Sequence, residues 1–492
     1  MNFTRWIRTS AMTCSSKLSS RLISSHASSR QVPAEWLRRV LEDRTEPPRL
    51  YAWTLANLPD DDDNAFRSDK ASAAGETRQR DDERRRIYIL GIGNIGRLYA
   101  TFLAKNADRP PITLVVHRKE LLERWRSHPG VELVRAGRPE RNADFDIEWW
   151  TEAKPGRGPV GEPGGGTIYN LVVATKAADA LPQVDRLRRY LDGGSAVAFT
   201  QNGMCKLWPP LGDAYAAARF PSSSPSAAAA PDWLACVTTH GVTSLGPFRS
   251  VHASPADVLV GNVVAAAGGG ASGGDTVRPS DYLAGQIVAA PGLAGRRVGA
   301  RELWVAQLEK LVVNSVINPL TAVLRCKNGE LFAEREGDGV PAVVDLLLGE
   351  ASRTLRDLVA HPSSDGIIRQ APRPGGESET QVGEAGEDEA LERVRDELLE
   401  RFSFPRLRAM LYGVAAKVGE NTSSMLQDVR AGKETEIRDF NGWLAETARY
   451  VGGGDARLPA HERLVKLVLD GAALTRGELS REFLGDEGGV RR

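Results

Sequence analysis

RRRIYILGIGNIGRLYATFLAKN, residues 84–106, is the stretch whose reading decides the fold. Four apolar residues, 87–90, make a short strand, Gly91, Gly93 and Gly96 follow at once, and Leu98, Tyr99, Phe102 and Leu103 then recur at helical spacing. Strand, glycine turn and helix in that order are what a dinucleotide-binding unit requires: a tight turn, close approach of backbone to a pyrophosphate, and a helix N-terminus facing it. Residues Gly91, Ile92, Gly93, Asn94, Ile95 and Gly96 are therefore the candidate cofactor loop.

A second strand follows at 112–116 and ends in His117, Arg118 and Lys119. NAD sites usually place an acid at this strand end to hold the ribose 2′-hydroxyl, whereas a basic side chain suits a 2′-phosphate, so Arg118 argues for NADP(H). The alternative is that Arg118 and Lys119 merely open a solvated helix. Further strands at 167–174, 195–200, 235–239 and 258–260 alternate with helical or looped stretches. Two of them end in polar signatures, Thr175-Lys176 and Gln201-Asn202-Gly203. In open α/β sheets ligands gather outside the carboxyl ends of the strands, so Lys176 and Asn202 stand where a cofactor or substrate would be met, although each also suits a plain turn.

Downstream, LWVAQLEKLVVNSVINPLTAVL (303–324) carries three polar side chains four apart, Lys310, Asn314 and Asn318, in an otherwise apolar helix. At about 100° per residue each step of four drifts by only about 40°, so the three heads line one stripe of a buried helix. Burying an ammonium and two amides is costly unless they find partners. Either the stripe is a site, or Lys310 snorkels to water while the asparagines bond neighbouring backbone.

The ordered set GIGNIG, ATK, QNG, KLVVNSVINPLTAVL and ENTSSMLQDVRAGKETEI resembles the ketopantoate reductase (2-dehydropantoate 2-reductase) family over roughly residues 86–470. The resemblance implies a fold and a reaction: an α/β chain, with a Rossmann-type doubly wound parallel sheet at 85–298 and an all-helical domain at 299–475, reducing ketopantoate with NADPH in pantothenate and coenzyme A biosynthesis. It puts the general acid at Lys310, the helix-borne substrate asparagines at Asn314 and Asn318, and the substrate-binding serine and glutamate at Ser424 and Glu436. Asn202 takes the place of the QNG asparagine, which serves both substrate and cofactor, and Lys176 that of the lysine after the Ala-Thr strand end. Glu436 is expected to accept a hydrogen bond from the substrate's hydroxyl, against the plainer reading of an exposed acid at a helix start. One departure stands out: where the family often has Thr-Pro-x-Asn before its last helix, this chain has Arg457-Leu458-Pro459-Ala460-His461, so either His461 replaces that asparagine or the turn differs.

The residues support this chemistry on their own terms. Reducing a 2-oxo acid needs a hydride from the nicotinamide and a proton for the developing alkoxide. A free lysine, with a pKa of about 10.4, matches neutral pH poorly, so burial must lower Lys310 while Glu436 partly opposes the shift. Two alternatives remain: a reductase of another branched 2-oxo acid, because long insertions can reshape the cleft, and a non-catalytic reductase-like binding protein.

At 492 residues with 41% hydrophobic content and a net charge of zero, the chain can bury two domain cores, and its neutral balance offers no reason to expect nucleic acid. No run approaches the roughly 18 apolar residues of a membrane span. Cys14, Cys205, Cys236 and Cys326 lack the spacing of a metal or disulfide framework, so no metal is expected. The expected partner is a small-molecule 2-oxo acid, with a homodimer allowed for. Residues 1–34 are basic and serine-rich with no acid, the composition of a mitochondrial transit peptide, the alternatives being a basic arm and a cytoplasmic protein. Residues 35–84 read as a polar linker holding at most a short helix, and 476–492 as a tail. Stretches 154–166, 220–231 and 265–280 read as surface insertions, and 361–389 as a disordered loop.

Overall fold

The structure is a computed structural model, and it describes residues 35–59, 76–221, 230–263, 278–333, 338–370 and 384–485. The expected strand 87–90 is β2 (Ile87–Leu90), buried at all four positions, as a strand covered on both faces must be. Around it lies a nine-stranded sheet. The other members are β1 (Tyr51–Trp53), β3 (Ile112–Val116), β6 (Asp146–Thr151), β7 (Asn170–Val173), β8 (Ala196–Phe199), β9 (Asp232–Thr238), β12 (Val258–Asn262) and β13 (Gly295–Arg297), in the order β1-β6-β3-β2-β7-β8-β9-β12-β13. The six strands from β6 to β9 are parallel, and their order is that of a doubly wound dinucleotide-binding sheet, with its switch point between β2 and β7. At the margins β1 runs antiparallel to β6 and β12 antiparallel to β9, while β13 pairs parallel with β12. A second sheet, β10-β11-β4-β5, is built from β4 (Val131–Arg135), β5 (Arg138–Asn142), β10 (Gly241–Gly246) and β11 (Arg249–Ser254).

Five helices bear on the site: α1 (Asn94–Leu103), α2 (Ala300–Leu324), α3 (Val340–Ala360), α4 (Ser424–Arg430) and α5 (Pro459–Leu469). The first follows the glycine turn, and the rest belong to the helical C-terminal domain. The apolar residues of α2 that cover most of its circumference, Leu303, Trp304, Leu308, Leu311, Val312, Val316, Ile317, Leu320 and Val323, are all buried, so the helix is the spine of that domain. Among the described residues no helix is long and apolar enough to cross a membrane.

Three stretches differ from their reading. The expected linker 35–84 contributes a helix, Glu35–Glu42, and the edge strand β1, and it buries Leu37, Leu50, Ala52 and Leu58. Leu50 is pinned at both main-chain groups, its N–H donating to the Tyr190 hydroxyl at 2.7 Å and its carbonyl accepting from the same hydroxyl at 3.2 Å. The physical reason is an edge: β6 would otherwise present unpaired backbone, and Tyr51–Trp53 covers it. The stretch 154–166 is tied to the same element, Ala52 donating to Gly161 O and the Asn57 amide to Arg157 O and Pro159 O. In the expected tail, Arg476–Leu484 is a helix opened by a Thr475–Glu478 capping box, with Leu479 fully buried. Of the expected loop 361–389, residues Asp365–Ile368 form a helical turn that buries Ile367 and Ile368, and Glu384–Arg401 is a helix. Residues 1–34, expected as a targeting segment, the part of the expected linker at 60–75, and most of the expected insertions at 220–231 and 265–280 lie outside the described residues.

Leu50→Ala should lower stability by about 2–5 kcal/mol, as truncation of a buried leucine does. Urea unfolding measures it, and an unmoved midpoint would return this segment to a linker.

Candidate active site

The three glycines of the turn do three different things. Gly91 has φ +95°, and a side chain there would meet Ala174 C and Thr175 N at 2.9 Å, so the β2 turn is pressed against the end of β7. A Cβ on Gly96 would fall 2.0 Å from Gly91 O, which lets α1 start against the turn. Gly93 is the N-cap of α1 and has open space on its Cβ side. No side chain caps this helix, so its first-turn N–H groups are available to an anion. The side chain of Asn94 is occupied with the second sheet, donating to Val242 O at 3.2 Å and accepting from Ser250 Oγ at 3.1 Å. Ile92 and Ile95 pack against the core. What these three can offer a pyrophosphate is main chain. Arg118 is exposed just after β3, followed by Lys119 and by Glu120 in the first turn of the next helix. The loop fits a dinucleotide.

Across the cleft, α2 presents Lys310. Its ammonium donates to Asn202 Oδ1 at 2.8 Å and to Thr238 O, at the end of β9, at 2.6 Å. Asn202 in turn donates to Glu436 Oε2 at 3.4 Å. Burial pushes the Lys310 pKa down to about 8, with the Glu436 charge opposing. The Lys310 ammonium therefore gives up its proton more readily than a free lysine does while keeping two acceptors that aim it. Asn314 and Asn318, one and two turns on, make no side-chain hydrogen bond among the described residues, although Asn318 is only 8% exposed. Asn314 is half-buried and Asn318 buried, and both amides are free to bond a ligand.

Ser424 and Ser423 divide their duties. Ser423 is buried, shares a hydrogen bond with Thr321 Oγ1 at 2.7 Å and caps α4 by accepting from Leu426 N at 3.2 Å. Ser424 is exposed at the first position of α4. Lys176 is also exposed, and its ammonium is held by Asp428 Oδ2 of α4 at 2.5 Å rather than standing free over the crevice. Burial pulls its pKa down, but Glu436 and Asp428 more than offset that and leave it raised.

Sequence reasoning gave no role to several groups here. Thr238 acts through its carbonyl, which no side-chain pattern reveals. Asp428 lay inside a quoted motif without a task. Gly203, at φ +81°, lets the QNG loop meet the helical domain, since a Cβ there would lie 2.9 Å from Asp439 O. Trp208 Nε1 donates to Gln307 Oε1 at 2.5 Å, fixing the same loop to α2. Asp439 itself is partly buried, which pushes its pKa up to about 6, with Lys206 at 3.8 Å opposing that rise. Among the described residues no group of three His, Cys, Asp or Glu side chains could hold a metal ion.

Residues 87–264 match the family "Ketopantoate reductase PanE/ApbA", and residues 302–470 match "Ketopantoate reductase PanE/ApbA C terminal". The ketoisovalerate reductase BEA2 of Gibberella fujikuroi is 42% identical over 465 residues, covering 91% of this chain and 98% of that protein. The ketoisovalerate reductase of Beauveria bassiana is 40% identical over 464 residues, with the same coverage of 91% and 98%. A probable 2-dehydropantoate 2-reductase of Schizosaccharomyces pombe is 27% identical over 387 residues, covering 74% and 91%. Among solved structures, D-mandelate dehydrogenase with NADH and anilino(oxo)acetate has a TM-score of 0.51 at 16% identity and covers 80% of this chain and 99% of its own. The PanE/ApbA family ketopantoate reductase from Ralstonia eutropha has a TM-score of 0.51 at 17% identity, covering 78% and 98%. These two likenesses are of fold.

With Lys310 as the acid, kcat/KM for carbonyl reduction should fall as pH rises through about 8. Because the Glu436 charge raises the lysine's pKa, Glu436→Gln should move that limb to lower pH. A pH–rate profile tests both, and a limb that stays put in the variant removes the assignment.

Proposed function

The chain belongs to the ketopantoate reductase family, whose members are oxidoreductases acting on 2-oxo acids, and on that premise we propose that it reduces 2-ketoisovalerate to 2-hydroxyisovalerate with NADPH. The observation that carries the reaction is the Lys310 ammonium, desolvated and aimed by Asn202 and Thr238 across the cleft from the cofactor loop. Bound nicotinamide supplies the hydride. Lys310 holds the carbonyl oxygen by hydrogen bond and gives it a proton as charge develops there, while Asn314, Asn318 and Ser424 are the donors on hand for the carboxylate.

The choice of substrate departs from the sequence expectation of ketopantoate and takes up its alternative, another branched 2-oxo acid. Two full-length relatives at 40% and 42% identity are ketoisovalerate reductases, whereas the dehydropantoate reductase relative stands at 27%. The placement of Glu436 supports the same reading. Its carboxylate accepts from Asn202 and acts electrostatically on both Lys310 and Lys176, so it has a task in the site whether or not the substrate carries a hydroxyl. An isopropyl group asks nothing of it.

For the cofactor, Arg118 at the β3 end supports NADPH over NADH. The composition of residues 1–34 supports a mitochondrial location, tested by where a full-length fluorescent fusion accumulates.

NADPH oxidation followed with a panel of 2-oxo acids should give a higher kcat/KM for 2-ketoisovalerate than for ketopantoate. The reverse order would restore the ketopantoate reading. Lys310→Ala should lower kcat by about 10²–10⁴-fold while NADPH still binds, the range expected for loss of a positioned general acid. If every 2-oxo acid were turned over at unaltered rates by that variant, the mechanism would be wrong.

Arg118→Ala should weaken NADPH binding more than NADH binding, measured by titrating nicotinamide fluorescence. Equal losses would remove the 2′-phosphate assignment.

A further inference from the structure

Pro319 lies inside α2, one residue after Asn318. Proline has no backbone N–H, so the carbonyl of Ser315, four residues earlier, has no partner within the helix. Ser315 is fully buried, and an unmatched carbonyl there cannot turn to water. Asn441 fills the vacancy: its Nδ2 donates to Ser315 O at 2.9 Å. Asn441, also fully buried, sits in a π-helical turn, Arg438–Gly442, that begins two residues after Glu436. Wide turns of this kind recur where a helix is bent to a task.

The same amide reaches His461 Nδ1 at 2.9 Å. Because the amide nitrogen donates, Nδ1 accepts, and the proton is on Nε2, which donates to Leu347 O of α3 at 3.1 Å. Burial holds the His461 pKa down to about 4, which keeps this single neutral tautomer. The His461 backbone is fixed too: Glu350 of α3 accepts from Ala460 N at 3.0 Å and His461 N at 3.1 Å, capping the N-terminus of α5. His461 is thus bonded at both ring nitrogens and at its backbone N–H.

We infer that Asn441 and His461 are positioning residues for the substrate side of the active site, using the acceptor that Pro319 frees in α2 to set Glu436 against Asn314 and Asn318. Ser315 lies between the two stripe asparagines, and Asn441 follows Glu436 by five residues, so one bond from Asn441 fixes the spacing of both walls. The inference rests on reading these residues as the substrate site.

The test uses the whole protein and a double-mutant cycle. Pro319→Ala gives α2 an N–H that takes back Ser315 O, and Asn441→Leu removes the donor. Each should raise KM for the 2-oxo acid by about tenfold with the NADPH dissociation constant held within about twofold, a split that general loss of stability does not produce. The double variant should be no worse than the poorer single one, because the two act on one bond. His461→Asn, which keeps a polar acceptor for the Asn441 amide, should keep KM near wild type, and His461→Leu should not. KM effects that multiply, or lowered melting temperatures with unchanged KM, would overturn the proposal. The same cycle read in melting temperature should also be non-additive, and it stands whether or not any 2-oxo acid is turned over. Failure of the functional reading and failure of the coupling are thus separate results.

Discussion

An ammonium taken out of water must be held, and the way Lys310 is held organises the rest of the molecule. One acceptor, Thr238 O, comes from the last parallel strand of the sheet, and the other, Asn202 Oδ1, from the loop after β8, while the lysine itself rides on the helical domain. An unmatched buried charge costs about 3–5 kcal/mol. The two regions are therefore joined by the same bonds that aim the acid. Glu436 adds the opposing charge that keeps the pKa near 8 instead of lower still.

Much of this was legible beforehand, for a physical reason. The cofactor loop is written in glycines because only glycine tolerates φ +95° at Gly91 and the 2.0 Å approach at Gly96. The stripe Lys310-Asn314-Asn318 was visible because polar groups at four-residue spacing in an apolar helix violate its pattern. What could not be read acts through main chain or across long separations. The carbonyl of Thr238 is indifferent to its side chain. Asp428 finds Lys176 from 252 residues away. Strand β1 is three residues long, too short for alternation to register, and β5 reads RPERN, which is polar throughout. The helix at Arg476–Leu484 reads as a tail because one buried leucine among charges leaves little apolar pattern.

On the proposed reading, charge balance bears on substrate preference. Two lysines and the carboxylates of Glu436 and Asp428 already form a set in which each charge answers another. A Glu436 so engaged gains little from a substrate hydroxyl, and rejection by unpaired polar groups works only where a site has no other partner for them. On that reading the two unpartnered amides, Asn314 and Asn318, take the carboxylate that every 2-oxo acid carries, so they select the class and not the member.

The contacts across the cleft also differ in what they cost to break. Lys176 and Asp428 meet where the lysine is half-exposed, and such a pair is worth about 0–1 kcal/mol. Breaking the Lys310 bonds would instead strand a buried ammonium. The QNG loop cannot follow the sheet away from the helices either, since Trp208 is bonded to Gln307 and Gly203 lies against Asp439 O. The Lys176–Asp428 pair is therefore the contact that costs least to break, and the bonds of Lys310 are the ones that cost most.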